Sequence, residues 1–425
     1  MNNLEKIYQR YLKLNQNICT DTRSKKIQNS LFFCIKGENF DGNLFIQEAL
    51  DKKASYIITE HDHYDDPRVI TVKDTIKTLQ DLAKKHRQKI KVPIIGITGT
   101  NGKTTTKILI DELLSSQLKS HSTKGNFNNH IGVPLTILSI KKDHEIAVVE
   151  LGANHLGEIQ FLCSIAKPTH GIITNIGKAH LEGFKTFENI IKTKGELYQF
   201  LKKNNGVIFF DKTNPLLNKL INTYYNIIPY TTQNNKFNCT PFITFVWKRN
   251  TIKTKIIGDY NINNIITAIT VAKYFKIDDA NIISKLEEIE FLNNRSQFIK
   301  TKHNKIILDA YNANPTSVKL AIKNFLDLEV ESHVKRIIIL GDMMELGDET
   351  KKYHQEIVDY IDSGKIEKCI LVGTLFKNVN CSTKFSQTKS LIECETFLKK
   401  TTIKNTIILI KGSRKMQLET LIDIL

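Results

Sequence analysis

Cysteine is sparse and unpaired in this chain: seven residues in 425 (Cys19, Cys34, Cys163, Cys239, Cys369, Cys381 and Cys394), none in a CxxC pair. An odd, scattered set argues against a disulfide frame or a zinc site and points to free thiols in a reducing cytosol. Long apolar runs are also missing, and none approaches the roughly eighteen residues of a spanning helix. The opening MNNLEKIYQRYLKLNQNI alternates charged and apolar residues at helical spacing, without the continuous apolar core of a signal peptide. The expectation is a cytoplasmic protein with no membrane insertion. Charge is plentiful but nowhere concentrated: Lys and Arg total 61 against 44 Asp and Glu, a net +17, with no basic block or arginine-rich arm. That spread fits a lysine- and asparagine-rich composition better than a nucleic-acid face, so no nucleic-acid partner is expected. Internal repeats and low-complexity linkers are absent too.

What is present is an ordinary globular composition, 41% hydrophobic and 25% charged, in a chain too long for one core. Residues 1–90 hold the short apolar runs SLFFCIKG, ASYIIT and RVITV and finish in a charged helix over 74–89. From Val92 the texture becomes strand, loop, helix: VPIIGIT, then TTTKILIDELLSSQL, then apolar runs at 145–151, 170–176 and 206–210. Strands alternating with helices imply parallel pairing. An asparagine-rich piece over 231–256 carries FITFVW, whose alternation predicts an antiparallel edge, and the only tryptophan, Trp247, read as packing. After residue 295 the alternation resumes with KIILDAY, RIIILGD, KCILVG and TIILIKG. Three of these runs end in polar candidates, Asp309, Asp342, and Lys411 with Ser413 and Arg414, where open α/β sheets collect ligands. The predicted class is α/β in three domains: 1–90, a central P-loop sheet over 91–295, and a Rossmann-like unit over 296–425.

The segment GITGTNGKTTTK (96–107) looks like a phosphate-binding loop, although Ile97 stands where G-x-x-x-x-G-K-[ST] has its first glycine. It follows a strand and opens a helix, the context such a loop needs. Gly99 and Gly102 let backbone amides turn inward, Lys103 supplies a point charge for the β- and γ-phosphates, and Thr104 is placed for Mg2+. With Thr100, Asn101 and Thr105 these residues are the candidate cradle for a nucleoside triphosphate, read as ATP. Glu150 and His180, each after a strand run, are candidate metal partners; the bland alternatives are a capping glutamate and a structural histidine.

Together GITGTNGKTTTK, TKGNFNNHIGVPLT, VVELGANHLGEI, NIGKAHLEGF, TKGELY, DAYNANPTS, LGDMMELG and KGSR resemble the Mur ligases, in the family's order over nearly the whole chain. The resemblance implies a UDP-substrate domain, an ATPase domain and a Rossmann-like domain. It also implies an ATP-dependent ligase of the peptidoglycan pathway that adds D-alanyl-D-alanine to UDP-N-acetylmuramoyl-tripeptide through an acyl phosphate. By that resemblance Thr104 and Glu150 hold one Mg2+ and His180 a second. Lys194 matches a lysine that many members carry as a carbamate, its alternative being a helix-surface lysine. Asn261 and Asn264 match adenine-contacting asparagines, and Arg295 an arginine reaching the nucleotide, with Asn293-Asn294 in place of the usual proline-glycine. Asp309, Tyr311 and Asn312 meet ATP and dipeptide when the last domain closes. Lys411 and Arg414 are candidates for a substrate carboxylate, or else a solvated basic strand end. Thr22, Arg23 and Lys36 resemble the uridine-diphosphate segments, and Asn126, Asn128 and Asn129 face sugar or peptide. A monomer is expected. Two rivals stand beside this reading: a related ligase such as a folylpolyglutamate synthetase, and a P-loop nucleic-acid ATPase.

Overall fold

Strand Ile94–Thr98, IIGIT, is buried at every residue, as expected of a β-branched run covered on both faces. It lies inside a six-stranded, wholly parallel sheet ordered Ile227–Tyr230, Val207–Asp211, His170–Ile173, Ile94–Thr98, Ile146–Glu150 and Ser120–Ser122. The flanking strands pair with it so that Ile97 faces Glu150 and Thr98 faces Ile173. Whatever leaves those three strands at their carboxyl ends therefore converges on one crevice. The computed structural model describes residues 3–425 except 39, 63, 234–235, 292–293 and 365; Asn293 of the replaced proline-glycine pair lies outside the described residues.

A smaller parallel sheet precedes it, ordered Ile18–Cys19, Leu31–Phe33, Tyr56–Thr59 and Val69–Thr71. Helix Thr75–Lys89, capped by Asp74 accepting from the Lys77 amide, ends this segment in sequence but packs on helices Gly132–Leu138 and Glu158–Ala166 of the central unit. One apolar cluster accordingly joins Tyr11, Phe33 and Leu79 with Val149 and Leu162. Arg87 is buried in this junction and donates to the carbonyls of Ala166 and Lys167 at 2.8 and 3.0 Å, satisfying the orphan carbonyls of a helix end.

The 231–256 piece forms a three-stranded antiparallel sheet of its own, Phe237–Cys239, Phe242–Trp247 and Asn250–Ile257. It is not an edge of the central sheet, and Trp247 packs against the apolar cluster beneath it. The last sheet runs Gln297–Lys300, Asn304–Asp309, Thr406–Lys411, Lys335–Gly341, Lys368–Val372, Phe385–Thr388, parallel except for its first strand. This is a three-domain α/β architecture. Among the described residues no helix is long and apolar enough to cross a membrane.

Candidate active site

The chain leaves strand Ile94–Thr98 through Gly99, at φ 147, where an added Cβ would sit 2.0 Å from Thr174 Oγ1. Only glycine lets the loop lie so close to the next strand's exit. Asn175 clamps that loop: its Oδ1 accepts from the Asn101 amide at 3.0 Å and its Nδ2 donates to the Asn101 carbonyl at 3.0 Å. Helix Lys103–Ser115 then opens behind Gly102, at φ 76, with no side-chain cap, so its N-terminal amides and dipole are left for an anion. Lys103 Nζ bends back onto the carbonyls of Gly99 and Thr100, at 2.7 and 3.1 Å; burial holds its ammonium below the ordinary lysine range.

Thr104 Oγ1 donates to Glu150 Oε2 at 2.9 Å, which puts the strand-end carboxylate against the loop. Asn128 Nδ2 holds the other oxygen at 2.8 Å, and Lys107 Nζ lies 3.9 Å from Oε2. Lys107 is itself buried, donating to the carbonyls of Thr123 and Gly125 at 2.6 and 3.2 Å. Burial lowers its pKa, with Glu150 pulling the other way. Lys194, on helix Phe187–Lys203, is only 2% exposed and so is no surface lysine. Its Nζ reaches the Ala153 carbonyl at 3.4 Å, and burial, reinforced by Lys103, pulls its pKa down to about 7.

The last sheet roofs this crevice. Asp309 and Lys411 are register partners on neighbouring strands, and their side chains pair at 2.6 Å, with Lys411 also donating to the Asn312 carbonyl at 3.0 Å. Tyr311 carries the guanidinium of Arg295 at 3.6 Å and that of Arg414 at 5.4 Å from its ring centroid. Asn314 caps helix Pro315–Asp327 and donates from Nδ2 to Asn101 Oδ1 at 2.8 Å, so the last unit touches the loop directly. A partly open cavity of about 890 Å³ lies between Thr100–Thr105, Glu150, His180, Arg295, Asp309 and Tyr311. Replacing Asn314 with alanine removes both contacts. We expect about 1 kcal/mol of stability to go with the cap, together with a rise in the KM for ATP, measured by coupled ADP release.

Several expected contacts look different in three dimensions. Asn261 and Asn264 line the cavity, but Asn264 Nδ2 donates to Asn261 Oδ1 at 2.9 Å and Thr106 Oγ1 donates to Asn264 Oδ1 at 3.0 Å; the pair ties helix Ile262–Tyr274 to the loop helix. Asn126, Asn128, Asn129 and Asn312 also line it, though Asn128 is committed to Glu150 and Asn129 Oδ1 accepts from the Gly132 amide at 2.9 Å. Lys411 already grips a carboxylate of its own chain. Asp342 is buried away from the crevice, accepting from the amides of Leu375 and Phe376, both at 3.0 Å. Thr22, Arg23 and Lys36 do not line the cavity: Thr22 is buried beside Lys52, while Arg23 and Lys36 pair with Asp21 and Asp41 at 2.9 and 3.5 Å. From that first unit Glu38 reaches the cavity instead. Lys107, Asn175, Glu345 and the Asn314 bridge were not singled out from the sequence. Lys107 ends the phosphate-loop motif itself, the one signal that pointed to it.

A phosphate loop on a central parallel strand, faced by a buried glutamate and roofed by a second nucleotide-binding-type sheet, defines an ATP-dependent enzyme. Two family profiles match the chain, described as "Mur ligase middle domain" over residues 97–272 and "Mur ligase, glutamate ligase domain" over residues 294–414. The UDP-N-acetylmuramoyl-tripeptide–D-alanyl-D-alanine ligase of Bacillus subtilis (strain 168) is 35% identical, covering 95% of this chain and 92% of that protein. The protein of the same name in Haemophilus influenzae is 31% identical over 96% and 93%. The structure of MurF ligase from Thermotoga maritima in complex with ADP superposes with a TM-score of 0.83 at 26% identity, covering 100% of this chain and 98% of that one. Mycobacterium tuberculosis folylpolyglutamate synthase, at TM-score 0.64 and 12% identity over 82% and 93%, shares the fold. The chain belongs to the Mur ligase family.

Proposed function

We propose that this enzyme joins D-alanyl-D-alanine to UDP-N-acetylmuramoyl-tripeptide, converting ATP to ADP and phosphate, and so makes the pentapeptide precursor of peptidoglycan. The carrying observation is the Thr104–Glu150 contact at the mouth of the phosphate loop, inside a cavity completed by the last sheet, in a chain that proteins of this name match nearly end to end. In the proposed reaction a tripeptide carboxylate oxygen attacks the γ-phosphorus and the bond to ADP breaks, leaving an acyl phosphate. The dipeptide amine then attacks the acyl carbon, loses a proton, and expels phosphate through a tetrahedral intermediate.

Two anions must approach for the first step, so the residues of the cradle are of the type that offsets charge. Lys103 exchanges the carbonyls of Gly99 and Thr100 for phosphate oxygens, and the uncapped helix amides meet the rest. Thr104 and Glu150 form a hard-oxygen pair of the kind Mg2+ takes. Among the described residues no group of three or more His, Cys, Asp or Glu converges, so Thr104 and Glu150 are the side chains that would hold such an ion. When bound, Mg2+ neutralises developing phosphate charge. His180 and a carbamate on Lys194 are proposed for a second ion; an amine whose pKa is about 7 is substantially neutral near pH 7, the form that takes up carbon dioxide. Arg295 and Tyr311 face the nucleotide, and the roof excludes water from the acyl phosphate. Arg23, Lys36 and Thr22 are proposed to serve the uridine-diphosphate end, with residues 1–90 as that unit, 91–295 as the ATP unit and 296–425 as the closing unit. Action as a monomer in the cytoplasm completes the proposal.

The test is ADP release and product formation by purified protein with Mg2+. We expect turnover only with UDP-muramoyl-tripeptide and D-alanyl-D-alanine together, and none on adding DNA or RNA. No ADP and no product with both substrates would reject the proposal.

A further inference from the structure

His180 and Glu345 belong to different sheets and meet across the crevice. His180 follows strand His170–Ile173 and precedes the short helix Leu181–Phe184, while Glu345 follows strand Lys335–Gly341. Both have left-handed backbone, φ 51 and 63, a conformation that non-glycine residues hold only against a cost and that gathers at functional sites. Their turns are joined twice. His180 Nδ1 hydrogen-bonds Glu345 Oε2, and the Glu182 amide donates to the Glu345 carbonyl at 3.3 Å. Gly347, at φ 58, supplies the left-handed backbone that this turn takes beside Glu182. His180 lines the nucleotide cavity and Glu345 does not, so the carboxylate acts on the cavity through the ring.

We propose that Glu345 is a positioning residue for His180: by accepting the Nδ1 proton it leaves Nε2 as the nitrogen that ligates, and it does so only while the last sheet is seated on the central one. In a neutral imidazole one nitrogen donates and the other accepts, and the partner of the first decides which is which. Metal-facing histidines are commonly oriented through a carboxylate at the far nitrogen. Here that carboxylate arrives from another domain, so seating the roof and readying the histidine are one event. The inference rests on the reading of His180 as facing the second metal ion.

The experiment uses the full-length protein with 15N-labelled histidine side chains, ADP and Mg2+, and His180→Ala to assign the signal. Wild type is expected to show His180 protonated at Nδ1, and Glu345→Ala to lose that preference. Glu345→Gln, whose amide oxygen still accepts, is expected to keep it. In turnover, Glu345→Ala is expected to lose about 10–100-fold in kcat and to need more Mg2+ for half-maximal rate, with Glu345→Gln recovering most of both. An unchanged tautomer in Glu345→Ala overturns the proposal, as does equal impairment of both variants with the tautomer intact, the pattern of a plain interdomain latch. Should Glu345→Ala not fold, Glu345→Asp, whose shorter carboxylate retreats from the ring, takes its place with the same readings. The spectroscopic arm needs no catalysis, so an inactive protein with a Glu345-dependent tautomer would reject the ligase reading and leave this one standing.

Discussion

Replacing Lys194 with alanine is expected to lower turnover by about a thousandfold, the scale of removing a charge-stabilising group, and millimolar formate or acetate is expected to restore part of it. The lysine is nearly solvent-free, its amine is pulled to about pH 7, and its neighbours by charge are Lys103, Glu158 and Glu196. As an ammonium it would repel Lys103; as a carbamate it would place a negative group beside it. A short carboxylic acid fits the space the alanine leaves and supplies that charge. Full activity in the unsupplemented variant would remove the carbamate from consideration. Stability gives an independent reading through Lys194→Met, which keeps the volume and discards the amine. The folded pKa is below the unfolded one, so the unfolded chain binds the extra proton between about pH 7 and pH 10. Over that window the wild type loses stability as pH falls, and the loss is complete below about pH 7. In buffer stripped of carbon dioxide, Lys194→Met should therefore melt higher than wild type at pH 6.5. The gain, on the order of a few kcal/mol, should vanish toward pH 10.

Glu150→Ala should be damaging in two separable ways. Loss of the Thr104 partner is expected to abolish most of the Mg2+ dependence of ADP affinity, read by titration calorimetry with and without Mg2+. Turnover should fall about 10²–10³-fold. The second effect falls on Lys107, left buried with its carboxylate 3.9 Å away deleted, which is expected to cost about 3–5 kcal/mol. The sign follows from burial holding this amine below its ordinary range: without Glu150 its folded pKa drops further, so the variant's deficit grows as pH falls from about 10 and shrinks as it rises. Glu150→Gln keeps the hydrogen-bonding shape toward Thr104 and should lose the metal effect at a smaller stability cost. Wild-type Mg2+ dependence in both variants would exclude Glu150 from the metal site.

Much of the fold was legible because buried parallel strands read as unbroken apolar runs; IIGIT, IAVVE, KRIIILG and TIILIK each became a strand. The phosphate loop was legible because everything it needs is local: glycines, a lysine and a helix start within a few residues. What escaped depends on which strands become neighbours. Asp309 and Lys411 are about a hundred residues apart, yet strand Thr406–Lys411 inserts beside Asn304–Asp309, and no run of letters announces that insertion. The same holds for Asn314 meeting Asn101 and for Glu345 meeting His180, each the product of how two sheets sit on one another. Asn261 and Asn264, expected at the adenine, line the cavity, but their identity is explained as well by bonding to each other and to Thr106 as by a purine edge. Asp342 shows the reverse error. A strand-end carboxylate looks functional, and here it is spent on capping the 376–378 turn.

The apolar cluster running from Tyr11 and Leu79 into Val149 and Leu162 has a mechanical meaning. With their interiors fused, the first and second sheets cannot swing apart without exposing side chains that are now dry, whereas among the described residues the third sheet's clusters take in only Ile257, Leu181 and Phe242 from the rest of the chain. Pulling the two termini apart is therefore expected to detach the last sheet first, before the other two separate.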